Sequence, residues 1–160
     1  MAAHPEHVNL YQAFPAGYEA MSALEQACAG ALDPVLFELV KLRASQINGC
    51  AFCIDMHWKD ARANGESEER LYMLDAWREA TVYSDAERAA LALTEEVTLI
   101  ADGHVPPDVE AAARAHLDAS GYAALVFTIA TINAWNRLAI TAHSPAGRYR
   151  PRPKAAATTG

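Results

Sequence analysis

Residues 33–65 read DPVLFELVKLRASQINGCAFCIDMHWKDARANG, and this stretch decides the fold. Asp33-Pro34 marks a helix start: an Asp side chain accepts from the free N–H groups of the first turn, and Pro at the first helical position removes an N–H that has no partner there. Val35, Leu36, Leu39, Val40, Leu42 and Ile47 then recur at helical spacing up to about Asn48, with Glu38 and Lys41 set among them. Gly49 interrupts the pattern. A second helix is expected from Cys50 to Asn64, with Gly65 as its stop. Joined by so short a link, the two are expected to pair as an antiparallel helical hairpin.

The flanking sequence continues in the same manner. Pro15 opens a segment that ends near Gly30, and Ser67 opens a short helix through Arg78. Ser84-Asp85-Ala86-Glu87 has the form of a capping box, and its helix runs to near Asp102-Gly103. Pro106-Pro107 begins a segment that stops at Gly121. The last helix, about Tyr122 to Ala142, is apolar on most faces and so is expected to be buried in its own domain or against another subunit. Residues 1–14 read as irregular. No alternating strand pattern and no internal repeat stand out. The expected fold is all-α: a single-domain bundle of about six or seven helices over 1–147, followed by a basic flexible tail at 148–160.

Composition agrees with one globular domain. Of 160 residues, 52% are apolar, enough for a core, which argues against disorder of the whole chain. The formal net charge is −7, and the tail holds Arg148, Arg150, Arg152 and Lys154 with no acidic residue, so the body is more acidic still. An acidic body speaks against a nucleic-acid binder. No uninterrupted apolar run is long enough to span a membrane, and the first residues lack a basic start and an apolar stretch, so neither a membrane partner nor an export signal is expected. Three cysteines cannot make a disulfide scaffold, and the expected location is the reducing cytoplasm.

In that compartment Cys50-Ala51-Phe52-Cys53 is the informative feature. At a helix start the two sulfurs share a face, and His57 follows Cys53 by one turn, within reach of its sulfur. Helix N-terminal N–H groups and a neighbouring imidazole both favour a thiolate. Two thiols this close can link and reopen, a two-electron redox device. A zinc site built on Cys50, Cys53 and His57 lacks the other half of the usual ligand set, since Cys28 stands alone. Inert core cysteines are the remaining alternative. Glu38 lies among apolar residues, where a carboxyl gains proton affinity and suits acid–base work. Its bland alternative is a surface glutamate paired with Lys41 or Arg43. Hairpin geometry brings Glu38 nearer His57 than Cys50, so a proton path Glu38–His57–Cys53 is feasible. Phe52, Ile54, Met56 and Trp58 either line that site or pack beneath it. His4, His7, His104 and His143 read as solvated. His116 lies on a helix face, and Trp77, Trp135 and Asn136 are expected to pack or cap.

The run from Glu38 to His57 resembles the core of the alkylhydroperoxidase D-like proteins of the carboxymuconolactone decarboxylase superfamily. Glu38 stands twelve positions before Cys50, and His57 four after Cys53, as in that family's redox motif. Lys59-Asp60-Ala61-Arg62 and Asn133-Ala134-Trp135-Asn136-Arg137 also look like its members, so the likeness covers roughly residues 34–147. The resemblance implies an all-helical fold assembled as a homotrimer or homohexamer. It implies a thiol-dependent peroxidase or disulfide oxidoreductase with no cofactor beyond a redox-active Cys50–Cys53 disulfide. It places Cys53 as the cysteine that attacks a small hydroperoxide, Cys50 as the resolving cysteine, Glu38 as relay base and His57 as relay histidine. The helix-start argument taken alone favours Cys50 as the attacking sulfur at least as much as Cys53. The implied reductant is a dithiol, such as a lipoylated or thioredoxin-like protein. One departure stands out: Phe52 occupies the position where better-studied members carry a histidine, which removes one relay group. Two other functions compete. One is a decarboxylase or ring-opening enzyme of aromatic catabolism, a branch not expected to need the C-x-x-C pair. The other is a non-enzymatic redox-sensing oligomer.

Overall fold

A computed structural model describes residues 7–151. Among the described residues the chain is all-helical: α1 (Leu10–Ala13), α2 (Pro15–Ala29), α3 (Pro34–Asn48), α4 (Ala51–Ala63), α5 (Glu68–Tyr72), a 3-10 turn (Leu74–Ala76), α6 (Asp85–Thr98), α7 (Pro107–His116) and α8 (Ala119–Thr141). His4 and residues 152–160 of the expected tail lie outside the described residues.

The helix starts follow from local chemistry. Asp33 accepts from the N–H groups of Val35 and Leu36 at 3.0 and 3.1 Å, which satisfies two otherwise free donors of α3. The capping box of α6 is present, with Ser84 and Glu87 each accepting from the other's N–H. Three boundaries differ from expectation. Asn9 caps the short α1 through the N–H of Gln12, inside a stretch read as irregular. Gly121 does not stop a helix: Asp118 accepts from its N–H at 2.7 Å, so α8 starts at Ala119 and the glycine falls in its first turn. The segment from Ser67 to Arg78 is not one helix. Tyr83 donates its hydroxyl to the Arg70 carbonyl, and Arg88 donates to the carbonyls of Trp77, Arg78 and Ala80. Side chains thus take acceptors that a continuous helix would have used.

α3 is the central element, packed against α4, α6 and α8. Every residue from Leu36 to Leu42 is buried, including Glu38 and Lys41. One flank of α3, with Leu36, Phe37 and Val40, joins Cys28, Ala90, Leu93, Leu125 and Ile129 in one apolar cluster. The other, with Leu39 and Leu42, joins Ala61, Leu71, Leu74, Trp77 and Leu91 in a second. A helix enclosed on both sides has no wet face on which to place its charges. That is why Glu38 and Lys41 are inside.

By length and composition alone α8, with 23 residues, is long and apolar enough to reach across a bilayer, although it holds no uninterrupted apolar run of that length. It is instead the second post of the bundle. It packs against α2, α3, α4, α6 and α7, with Leu125, Ile129, Ile132 and Asn136 buried. Phe127 and Leu138 remain exposed on its other side, so it is not enclosed all round within this chain.

Candidate functional site

The turn between α3 and α4 places the sulfurs. Gly49 ends α3 in the left-handed region, at φ 67°, where a residue without Cβ is unstrained. The chain then turns sharply enough for the Cys50 N–H to donate to the Ser45 carbonyl at 3.0 Å. Cys50 is the N-cap of α4 rather than its first helical residue, and its sulfur accepts from the Cys53 N–H at 3.3 Å. This N-cap position, with a donor aimed at the sulfur, is where a thiolate gains most from the helix dipole. Cys50 and Cys53 are joined by a disulfide with a Cα–Cα distance of 5.3 Å, and both are buried. Cys28 is free, buried, and part of the first apolar cluster, away from the pair.

The hairpin brings Glu38 and His57 into direct contact. Glu38 Oε2 and His57 Nδ1 lie 2.9 Å apart in the interior, where His57 is 2% exposed. Glu38 is therefore not a surface residue paired with Lys41 or Arg43. Lys41 pairs with Glu25, and Arg43 with Asp75 and Glu95. Burial pushes the Glu38 carboxyl up to about 7, against a smaller opposing effect of the Lys41 charge. Burial, aided by Lys41 and opposed by Glu25 and Asp60, pushes His57 down to about 3. The chargeable member near neutral pH is thus the carboxyl and not the imidazole. When Glu38 is ionised, the His57 Nδ1–H donates to it. When Glu38 holds the proton, its O–H donates to His57 Nδ1. Either way a proton crosses one hydrogen bond. His57 Nε2 is the buried side-chain polar atom without a partner among the described residues, and it belongs to the helix face that carries Cys53 one turn earlier.

Three features of the surroundings went unread in the sequence. Lys41 is buried with its charge met by Glu25, which also accepts from Trp135 Nε1 at 3.2 Å. Asn136, Asn48 and Ser45 form a polar link between α8 and the end of α3, with bonds of 2.8 and 3.0 Å. Asp60, one turn beyond His57, accepts from the Tyr149 hydroxyl at 2.8 and 3.0 Å. The i, i+3 spacing of His57 and Asp60 was a usable signal. Nothing local pointed to Tyr149, in a segment read as tail.

Ligand atoms of Glu38, His57 and Asp60 all lie within 4.8 Å of one another, a spacing compatible with a divalent cation. The Lys41 charge, which already acts on all three groups, weighs against a cation there. A cavity of about 170 Å³ opens beside the disulfide, lined by Cys50, Ala51, Phe52, Ile140 and His143 among others. Its size admits a small reagent rather than a large ligand. His143 has φ 51° and its ring stacks on His7 at 3.9 Å, so these two histidines have a packing partner. His104 and His116 are exposed. Phe52 reaches the cavity, whereas Ile54 and Trp58 pack on the second apolar cluster. Trp77 is buried and donates to Glu95 at 2.7 Å.

Residues 13–96 match the carboxymuconolactone decarboxylase family, a span that contains Glu38, Cys50, Cys53 and His57. The chain is 44% identical over 136 residues to the uncharacterized protein YdfG of Bacillus subtilis, covering 84% of this chain and 92% of that one. It is 36% identical over 107 residues to the uncharacterized protein YnjA of Escherichia coli, covering 64% of this chain and 56% of that one. Among solved structures it is similar to a protein of unknown function from Agrobacterium tumefaciens, provisionally ascribed to antioxidant defence as AhpD. The TM-score is 0.84 at 39% identity, over 88% of this chain and 97% of the other.

Proposed function

The chain belongs to the carboxymuconolactone decarboxylase family as an alkylhydroperoxidase D-like member, and from that premise we propose that it is a thiol-dependent peroxidase. The observation that carries the proposal is a linked cysteine pair at the mouth of α4 with a buried carboxyl–imidazole hydrogen bond one turn behind it. A decarboxylase has no evident use for that combination.

In the proposed cycle, the Cys53 thiol passes its proton through His57 to Glu38. The thiolate attacks the distal oxygen of a hydroperoxide, the O–O bond breaks, and Cys53 becomes a sulfenic acid. The departing alkoxide takes a proton and leaves as an alcohol. Cys50 sulfur then attacks Cys53 sulfur, and the hydroxyl leaves as water with one proton. One hydroperoxide is reduced by two electrons and two thiols are oxidised to one disulfide. An external dithiol reverses the last change: one of its thiolates attacks Cys50, Cys53 departs, and the second external thiol completes its own disulfide. Attack at Cys50 is supported by its place on the cavity wall. A lipoylated or thioredoxin-like protein in the cytoplasm fits the reductant's role. A homotrimer or homohexamer would cover the exposed apolar side of α8.

Peroxide consumption with a dithiol reductant tests this reading. The wild type is expected to turn over, Cys53→Ser to lose turnover by at least about 100-fold, and Cys50→Ser to stop at a Cys53 sulfenic acid. A sulfenic acid trapped on Cys50 of the wild type would reverse the two assignments. A bridge formed by peroxide without turnover would favour a redox sensor, and indifference to both substitutions would favour a decarboxylase.

A further inference from the structure

A relay that is sealed from water completes a cycle only if it can exchange its proton with solvent. The Glu38–His57 pair is buried, so its outlet matters. The groups around it are countable. Lys41 on α3 is engaged with Glu25 on α2. On α4, Lys59 pairs with Asp55 at 2.6 Å. Of the two part-exposed carboxylates that act on the pair, Glu25 is taken up by Lys41 and Trp135, whereas Asp60 lies within 4.8 Å of the ligand atoms of both Glu38 and His57 and is only half-buried. Its outer side is occupied by the Tyr149 hydroxyl.

Tyr149 is held there by more than that bond. The Gly147 N–H donates to Asp55 at 2.9 Å, and Lys59 Nζ donates to the Tyr149 carbonyl at 3.2 Å. Asp55, Lys59 and Asp60 of α4 therefore fasten the segment that follows α8 across the helix carrying Cys53 and His57.

We propose that Asp60 and Tyr149 are positioning residues that extend the Glu38–His57 pair to solvent, so that the segment after α8 sets how readily the buried pair takes up and releases a proton. The inference deepens the thiol-redox reading and rests on it for its purpose. Burial raises the Asp60 proton affinity and the Glu38 charge adds to it, while the Tyr149 O–H stabilises the Asp60 anion. A spacing of up to 4.8 Å is one that a single water spans, so a proton leaving Glu38 reaches Asp60 by a water bridge and passes to solvent, and the Tyr149 hydrogen bond lowers the pH at which Asp60 is empty to receive it. No electrons move in this step, and the transfer nets one proton from the interior to solvent.

The test is the titration of Glu38 and Asp60 by carboxyl-carbon NMR in the reduced protein, together with the Cys53 thiolate absorbance in a Cys50→Ser background. Asp60→Asn is expected to lower the Glu38 midpoint by about one pH unit, since a neighbouring negative charge is gone, and to move the Cys53 midpoint in the same direction. Asp60→Glu is expected to restore both. Tyr149→Phe, which removes a single oxygen, is expected to raise the Asp60 midpoint with the fold intact. A Glu38 midpoint unmoved by Asp60→Asn, a Cys53 midpoint that does not follow it, or an Asp60 midpoint unmoved by Tyr149→Phe each overturns the proposal. None of these readings uses peroxide. A protein that consumes no peroxide yet shows the shifts would sink the peroxidase and leave the proton outlet standing.

Discussion

Glu38 and His57 are held away from their ordinary protonation by the same burial, in opposite directions. The consequence for stability follows from the sign of each shift. Glu38 is raised from 4.5 to about 7, so its contribution is fully present below pH 4.5 and is lost as pH rises through about 7. His57 is lowered from 6.5 to about 3, so its contribution is present above 6.5 and is lost as pH falls through about 3. Glu38→Gln keeps an acceptor for the His57 Nδ1–H but cannot ionise. Urea unfolding across pH is expected to show the wild type losing on the order of 3 kcal/mol relative to this variant between about pH 4.5 and about pH 8. Parallel curves for the two proteins would mean that Glu38 ionises without penalty. The same variant is expected to slow Cys53 oxidation, because the relay has lost its chargeable member.

At the scale of the element, the turn from α3 to α4 is where sequence and chemistry meet. Gly49 is in the left-handed region with no atom near its missing Cβ. Substitution there meets backbone strain and no clash. Gly49→Ala is therefore expected to cost about 1–2 kcal/mol in unfolding free energy and to leave the overall fold in place. A cost near zero would show that the turn tolerates another conformation, and with it another placement of the Cys50 sulfur at the α4 N-terminus. Helix limits set by a side-chain cap, such as Asp33 and Ser84, were legible because a capping residue acts on N–H groups two or three positions away. The broken segment after Tyr72 was not legible, because its carbonyls are claimed by Tyr83 and Arg88, whose approach depends on the placement of α6.

Across the whole molecule, α8 ties the site to the core. Asn136 is fully buried and joins Ser45 and Asn48, at the end of α3 that turns into Cys50. Asn136→Ala would remove one bond from each partner, leaving Ser45 with the Lys41 carbonyl and half-buried Asn48 with Asn133. Thermal or urea unfolding is expected to show a loss of about 1–3 kcal/mol, from the two hydrogen bonds removed. A negligible loss would mean that water replaces the asparagine and that the link is not a structural tie.

The linear order of residues by itself determined the helical class, the hairpin of residues 33–65 and the adjacency of Cys50 and Cys53, because capping, 3.6-residue periodicity and i, i+3 spacing act within a few residues of chain. It also pointed to Glu38 and His57 as facing groups, since a short turn constrains what two helices can bring together. Only the tertiary structure decided that Glu38 and Lys41 lie inside, that Glu25 answers Lys41, and that Tyr149 closes over Asp60. Those outcomes depend on α3 being enclosed from both sides and on a segment about 90 positions further along the chain returning to α4. Burial and long-range charge pairing are properties of the packed whole, and no window of local sequence contains them.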